Sequence, residues 1–252
     1  MINLKALVTG ASSGIGLYIS EELLNLGYDL FVVARDKKKL EKIYAKKKNV
    51  TIISLDLEDK DNCYKLYEML KDKDIDILVN NAGFGDAGNF SQTSLQKELS
   101  MIDLNIISYH ILTKLFLKDF IKKNRGRILN IASMAGFMPG PYMATYYATK
   151  SYIVSLTTSI QEELKKDKSN VHVSMFCPGP VETNFNNVAK VKFNVSSIDA
   201  EKAAKIAVEG MFKNKRIIIP MNMKLNYYLV KLSPVGLVST INAKTQERVE
   251  DK

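Results

Sequence analysis

The chain reads as an α/β protein, a single domain with a doubly wound parallel sheet, and three observations predict it. Apolar runs at 4–8, 28–34, 50–55, 76–79, 127–131, 171–176 and 216–219 have strand character, and helical patterns separate most of them. Such alternation builds right-handed crossovers between parallel strands. The first run leads straight into a glycine-rich turn and a helix start, the usual opening of a nucleotide-binding α/β unit. At 252 residues, with no Pro/Gly/Ser-rich linker, residues 1–252 suit one domain.

The first strand, Leu4 to Val8, ends in Thr9-Gly10-Ala11-Ser12-Ser13-Gly14-Ile15-Gly16. Glycines at this G-x-x-x-G-x-G spacing let the backbone approach a pyrophosphate. The helix that follows offers free N–H groups and a positive dipole end, so Gly10, Ser12, Ser13, Gly14, Ile15 and Gly16 are expected to cradle a dinucleotide.

The second strand ends at Ala34-Arg35-Asp36, where an adenosine ribose would lie. Two alignments are open. If Ala34 takes the position an NAD site gives to an acid, Arg35 can fork onto a 2′-phosphate, and NADP(H) is the expected cofactor. If Asp36 is the ribose acid, NAD(H) is the less favoured alternative. After the third strand, Asp56 could accept from an adenine amino group, while a nearby acid such as Asp59 could simply cap a helix. The fourth strand ends in Asn80-Asn81-Ala82-Gly83, where Asn81, Ala82 and Gly83 leave room for a cofactor beside the sheet.

A helical region from Leu95 to Lys123 contains Asn105 among apolar neighbours. Its amide is either a structural hydrogen-bonding group or the holder of a water that relays protons. Ser133 follows the strand Arg127–Ile131 and so sits at a strand's carboxyl end, where open α/β sheets bind ligands. Tyr146 and Lys150, four apart on a helix, share a face with each other. Bringing a phenol from its reference value near 10 to about 7 needs roughly 4 kcal/mol. An ammonium about 4 Å away supplies that at an effective dielectric near 20. Lys150 is therefore expected to lower the Tyr146 phenol, and Ser133 to hydrogen-bond a substrate oxygen.

The strand at 171–176 leads to Cys177-Pro178-Gly179-Pro180-Val181-Glu182-Thr183, a stiff turn suited to pack on a nicotinamide face through Pro178, Gly179, Val181 and Thr183. Residues 184–198 carry Phe185, Val188, Val191, Phe193 and Val195 without strong periodicity, as expected of a substrate lid. With Phe137 and Met138 they suggest an apolar substrate, though ordinary packing fits as well. The tail from 221 to 252 is amphipathic and interrupted by Pro234, too short to span a bilayer. It is expected to dock on the domain or on a subunit partner, with membrane-surface contact as an alternative.

Composition narrows the function classes. Apolar content of 46% and charged content of 25% fit an ordinary globular core. Two cysteines and two histidines make no metal-ligand spacing, so no metal is expected, and a reducing cytoplasmic setting fits. The start of the chain has no secretion-signal pattern. The net charge of +9 is mostly scattered lysine with five arginines, which reads as a solvated surface; no nucleic-acid partner and no integral membrane segment are expected.

Taken together, TGASSGIG at 9–16, Asp56, NNAG at 80–83, Asn105, Ser133, YYATK at 146–150 and PGPVET at 178–183 resemble the short-chain dehydrogenase/reductases over nearly the whole length. That resemblance implies a Rossmann-like fold and a dimer or tetramer of identical subunits. It implies Tyr146 as general acid/base, and Lys150 as the group that lowers its pKa and binds the nicotinamide ribose. Ser133 would orient the substrate oxygen, and Asn105 would support a proton relay. The expected activity is NADP(H)-dependent interconversion of a ketone or aldehyde with an alcohol, on a small-molecule carbonyl or alcohol substrate. Narrower alternatives are a hydroxysteroid dehydrogenase or a 3-oxoacyl reductase. A cofactor-binding redox sensor or scaffold is the alternative of another class.

Overall fold

Ala6 and Val8 of strand β1 (Lys5–Thr9) join one buried apolar cluster and Leu7 joins another, so the strand is covered on both faces. The computed structural model, which describes residues 4–189, 191–193 and 197–248, shows the helices responsible. They follow the strands in turn: α1 (Gly14–Asn25), β2 (Asp29–Ala34), α2 (Lys37–Tyr44), β3 (Val50–Ser54), α3 (Lys60–Leu70) and β4 (Ile77–Asn80). The helix expected over 95–123 is divided. It runs as α4 (Leu95–Ile102), a π-helical stretch at Asp103–Ile107, and α5 (Ser108–Lys122). Then come β5 (Arg127–Ile131), a 3₁₀ turn at Met134–Phe137, α6 (Ala144–Lys166) and β6 (His172–Phe176).

The segment after β6 holds β7 (Val181–Glu182), α7 (Phe185–Ala189), β8 (Val191–Phe193) and β9 (Ile198–Asp199). It is followed by α8 (Ala200–Phe212), β10 (Ile217–Ile218), α9 (Met221–Leu232), α10 (Val235–Thr245) and β11 (Gln246–Arg248). Val195 of the expected lid, and the tail beyond Arg248, lie outside the described residues.

Seven strands form one parallel sheet in the order β10-β6-β5-β4-β1-β2-β3, with Val8 opposite Val32 on one side and Val79 on the other. The order reverses between β1 and β4. That switch point opens a crevice at the strands' carboxyl ends. On one face α1 and α8 pack Ile19, Leu23, Ala203, Ala207 and Met211 over the sheet. On the other, α3, α5 and α6 contribute Leu66, Phe116, Phe120, Ile160 and Leu164. Beneath the crevice a buried amide network ties the layers together. Asn80 donates to Thr113 and to Asn130, both at 2.9 Å, and Asn130 donates to Thr157 at 3.0 Å. Each bond satisfies a polar group that burial would otherwise leave costly.

Candidate active site

The turn after β1 is held in place by its own side chains. Thr9 Oγ1 accepts from the backbone N–H of Asn81 (2.9 Å) and Ala82 (3.1 Å), and Asn81 Nδ2 donates to the carbonyls of Thr9 (3.0 Å) and Gly10 (3.1 Å). The two strand ends at the switch point are thereby stitched together. Gly10 (φ 65°) and Gly14 (φ 56°) adopt left-handed backbone that other residues resist. Gly16 is required for a different reason: a Cβ there would stand 2.2 Å from Asn81 Nδ2 and 2.5 Å from the Gly10 carbonyl oxygen. Gly16→Ala is thus expected to cost about 1–3 kcal/mol of stability through overpacking. It should also weaken nucleotide binding at least tenfold; chemical denaturation and a binding titration on the one protein check both.

A cleft of about 660 Å³ runs across the strand ends. Of the sequence-predicted residues, Gly10, Ser12, Ser13, Gly14, Ile15, Arg35, Asp56, Asn81, Ala82, Gly83, Ser133, Tyr146, Lys150, Pro178, Gly179, Val181 and Thr183 all line it. Gly16 and Asn105 do not; each acts from behind the wall. Asn105, fully buried in the π-helical stretch, donates to the Phe84 carbonyl (2.9 Å) and to Thr149 Oγ1 (3.1 Å). Its own carbonyl accepts from the Phe84 N–H (3.1 Å). These three bonds are the partners that a buried amide requires.

At the glycine end, helix α1 begins with Ser13 in extended conformation, with no side-chain cap on the first turn and no acid within it. Helices α2, α3 and α8 differ. Their first-turn N–H groups are capped by Asp36, Asp59 and Asp199. A helix start that lacks a capping carboxylate and faces a cleft fits an anionic phosphate. The residues present therefore fit a dinucleotide.

Asp36 is engaged as the α2 cap, accepting from the Lys39 N–H at 3.0 Å, and is absent from the cleft wall. Arg35 lines the cleft and pairs with Glu58 at 3.0 Å. Asp56 accepts from the Glu58 N–H at 3.1 Å, and Asp59, as the alternative reading had it, caps α3. Glu58 was not anticipated, although it lies only two residues past Asp56; its carboxyl is raised above its usual range by burial and then by the Asp56 charge.

At the other end Ser133, Tyr146 and Lys150 meet. Ser133 leaves β5 through an extended residue, accepts from the Ala135 N–H at 3.1 Å and donates to the Pro178 carbonyl at 3.4 Å, with its hydroxyl beside Tyr146. Lys150 Nζ donates to the Ile131 carbonyl at 2.9 Å and stands 5.8 Å from the centre of the Tyr146 ring. The expected lowering of the phenol is reversed. Burial pushes Tyr146 up to about 12, with the Ser133 hydrogen bond opposing. Burial also holds Lys150 down, to about 8. Neither charged form is favoured there, because desolvation is the largest influence on both groups.

Of the apolar residues expected to shape the cleft, Met138 and Val188 line it, as does Phe185, whose ring lies 5.1 Å from that of Tyr146. Phe137 does not; it packs edge-on against Tyr227 of α9, at 4.9 Å. The tail supplies the remaining wall. Met223, Asn226, Leu229 and Val230 of α9, with Val238 and Ile241 of α10, close the cleft beside the tyrosine. Their helical spacing was the available signal, but it gave no direction for the face.

Comparison with known proteins places this geometry. A family profile described as short chain dehydrogenase matches residues 4–192. An uncharacterized oxidoreductase of Staphylococcus saprophyticus is 35% identical over 185 residues, covering 71% of this chain and 78% of its own. A short-chain dehydrogenase from Sphingobium yanoikuyae in complex with NADPH superposes with a TM-score of 0.83 at 27% identity, covering 93% and 94% of the two chains. The bulky-bulky ketone specific alcohol dehydrogenase from Comamonas testosteroni gives a TM-score of 0.80 at 26% identity, covering 94% of each chain. Neighbours in complex with NAD, at 22% identity, and with NADP, at 21%, attest the fold alone. The chain belongs to the short-chain dehydrogenase family.

Proposed function

We propose that this protein is an NADP(H)-dependent oxidoreductase that interconverts a ketone or aldehyde with an alcohol on an apolar substrate. One observation carries the reading: Ser133, Tyr146 and Lys150 converge on a cleft whose far end is an uncapped helix start and Arg35. The bound nicotinamide would supply or accept the hydride. The chain's own residues manage the oxygen. Ser133 donates to it, and Tyr146, kept neutral by burial, releases its proton to the developing alkoxide in reduction. Lys150 is anchored on Ile131 beside the phenol, where its ammonium form would hold the nicotinamide ribose and favour phenolate in the reverse direction. Asn105 positions rather than reacts, fixing Phe84 and the α6 residue Thr149.

The apolar wall supports the substrate class. Met138, Phe185, Val188, Met223 and Leu229 offer an oily substrate body no charge to desolvate. The Comamonas testosteroni neighbour, specific for bulky-bulky ketones, supports the same class. Testing purified protein with NADPH on a panel of apolar ketones decides the reading: turnover that requires Tyr146 supports it. Tight nucleotide binding without turnover across the panel would move weight to a redox sensor or scaffold.

A second reading, NAD(H), has an observation of its own. Glu58 lines the adenosine end, where an acid could accept from a ribose 2′-hydroxyl. Arg35 is 72% exposed, so its ion pair with Glu58 contributes little and is readily exchanged for a phosphate. Arg35→Ala is expected to weaken NADPH binding about tenfold and leave NADH unchanged. If instead Glu58→Gln weakens NADH and Arg35→Ala changes nothing, the cofactor is NAD(H).

A further inference from the structure

Large apolar side chains are not spread evenly over this surface. Met221, Leu225, Tyr228, Leu229, Leu232, Val235, Leu237 and Ile241 are all exposed, and so account for eight of the nineteen such residues among those described. They fall within two short helices. At 100° per residue, Met221, Leu225, Tyr228 and Leu232 occupy roughly 60° of the circumference of α9. That stripe is as exposed as 85% at Leu232 and 76% at Met221. Met223, Asn226 and Val230 point the other way and line the cleft.

The charge on these two helices has one sign: from Met221 to Thr245 the sequence has no acidic residue, while Lys224, Lys231 and Lys244 lie there. Lys224 and Lys231 fall beside the stripe on the α9 wheel, next to Tyr228. The Lys231 ammonium lies over the rings of Phe137 (5.6 Å) and Tyr227 (5.7 Å), which hold it at the edge of the helix next to the domain.

We propose that the outer face of α9, with the start of α10, docks on the surface of an anionic lipid bilayer. An apolar stripe edged by lysines is the composition of an interfacial helix. A second copy of this chain is the poorer occupant. A two-fold contact that packed this stripe on itself would bring together two lysine-edged faces, with no acid in either helix to offset them. The helices do not cross the membrane: among the described residues no helix is long and apolar enough. Docking would bring the mouth of the cleft to the lipid interface, since α9 forms both surfaces.

Co-flotation of the full chain with phosphatidylcholine vesicles, with and without phosphatidylglycerol, tests this without reference to turnover. Binding is expected only with phosphatidylglycerol present, and it should weaken with added salt. Lys224→Gln with Lys231→Gln should lower partitioning roughly 25-fold. Leu225→Glu with Leu232→Glu should abolish it; neither leucine lines the cleft, so nucleotide binding should persist and report that the variant is folded. Should the leucine variant fail to fold, the lysine pair decides alone.

Three results would overturn the proposal. The first is wild type that stays off both kinds of vesicle. The second is binding left intact by both pairs of substitutions, which would assign it to the general lysine surface. The third is a leucine variant with half the wild-type mass by light scattering without lipid, which would assign the face to a second copy.

Discussion

Tyr146→Phe is expected to lower carbonyl reduction by about 10²–10⁴-fold while nucleotide affinity changes no more than a few-fold. The substitution removes one oxygen and leaves the ring, which packs against Phe185 and Tyr147, so the fold and the cleft keep their shape. Initial rates with NADPH and a reactive ketone, set beside a binding titration, separate the two effects. A variant that keeps a tenth of the activity would show that the proton comes from elsewhere.

The pH profile carries the same argument further. A phenol held up at about 12 is almost wholly protonated at neutral pH, which is the form needed to donate in reduction. Reduction should therefore be nearly flat between pH 6 and 8, to within roughly twofold. Oxidation needs the phenolate, whose population grows about tenfold per pH unit below that value. Its rate should climb with pH and flatten near 8, where Lys150 loses the proton whose charge supports the phenolate. Oxidation that is already maximal at pH 6 would contradict burial as the dominant effect.

How much of this was legible in the sequence depends on the range of the forces involved. Strand and helix placement followed from local patterns, because an unbroken apolar run such as Ala6, Leu7 and Val8 marks a strand covered on both faces. The glycine turn was equally readable, since a left-handed Gly10 and Gly14 and an uncapped helix start are local necessities. Asp36 shows the limit. Whether it met a ribose or capped a helix turned on one residue of register, and only coordinates show it bound to Lys39. Two further features escaped because they are not local at all. The Tyr146 phenol depends on how much water its three-dimensional surroundings admit, so a charge four residues away misled. The tail's place over the cleft depends on Met223 meeting Gly179 across more than forty residues of chain, where a Cβ on Gly179 would come within 2.6 Å of the Met223 sulfur.

Lys150→Met should have two large effects of opposite sign: turnover falls by about 10²-fold or more, while the protein becomes more stable. Lys150 is almost fully buried, and its amine falls from 10.5 to about 8 because desolvation disfavours the ammonium. At neutral pH that gap corresponds to roughly 3 kcal/mol held against folding. Methionine has nearly the same length and no charge. It loses the 2.9 Å hydrogen bond to the Ile131 carbonyl, an offset of about 1 kcal/mol. The net gain is then about 1–2 kcal/mol, or roughly 2–8 °C in Tm for a domain of this size. The sign can be checked a second way. Between pH 8 and 10.5 the unfolded chain carries more protons on this lysine than the folded one, so wild-type stability gains from this group as pH rises through that window. The variant lacks that contribution, so the two stability curves should approach each other above pH 8 and cross before pH 10.5, where the lost hydrogen bond leaves the variant about 1 kcal/mol the less stable. A Lys150→Met protein that is less stable than wild type at pH 7 would mean that the amine is well solvated or paired where it stands. The buried-lysine account of the site would then fail together with its explanation of the pH profile.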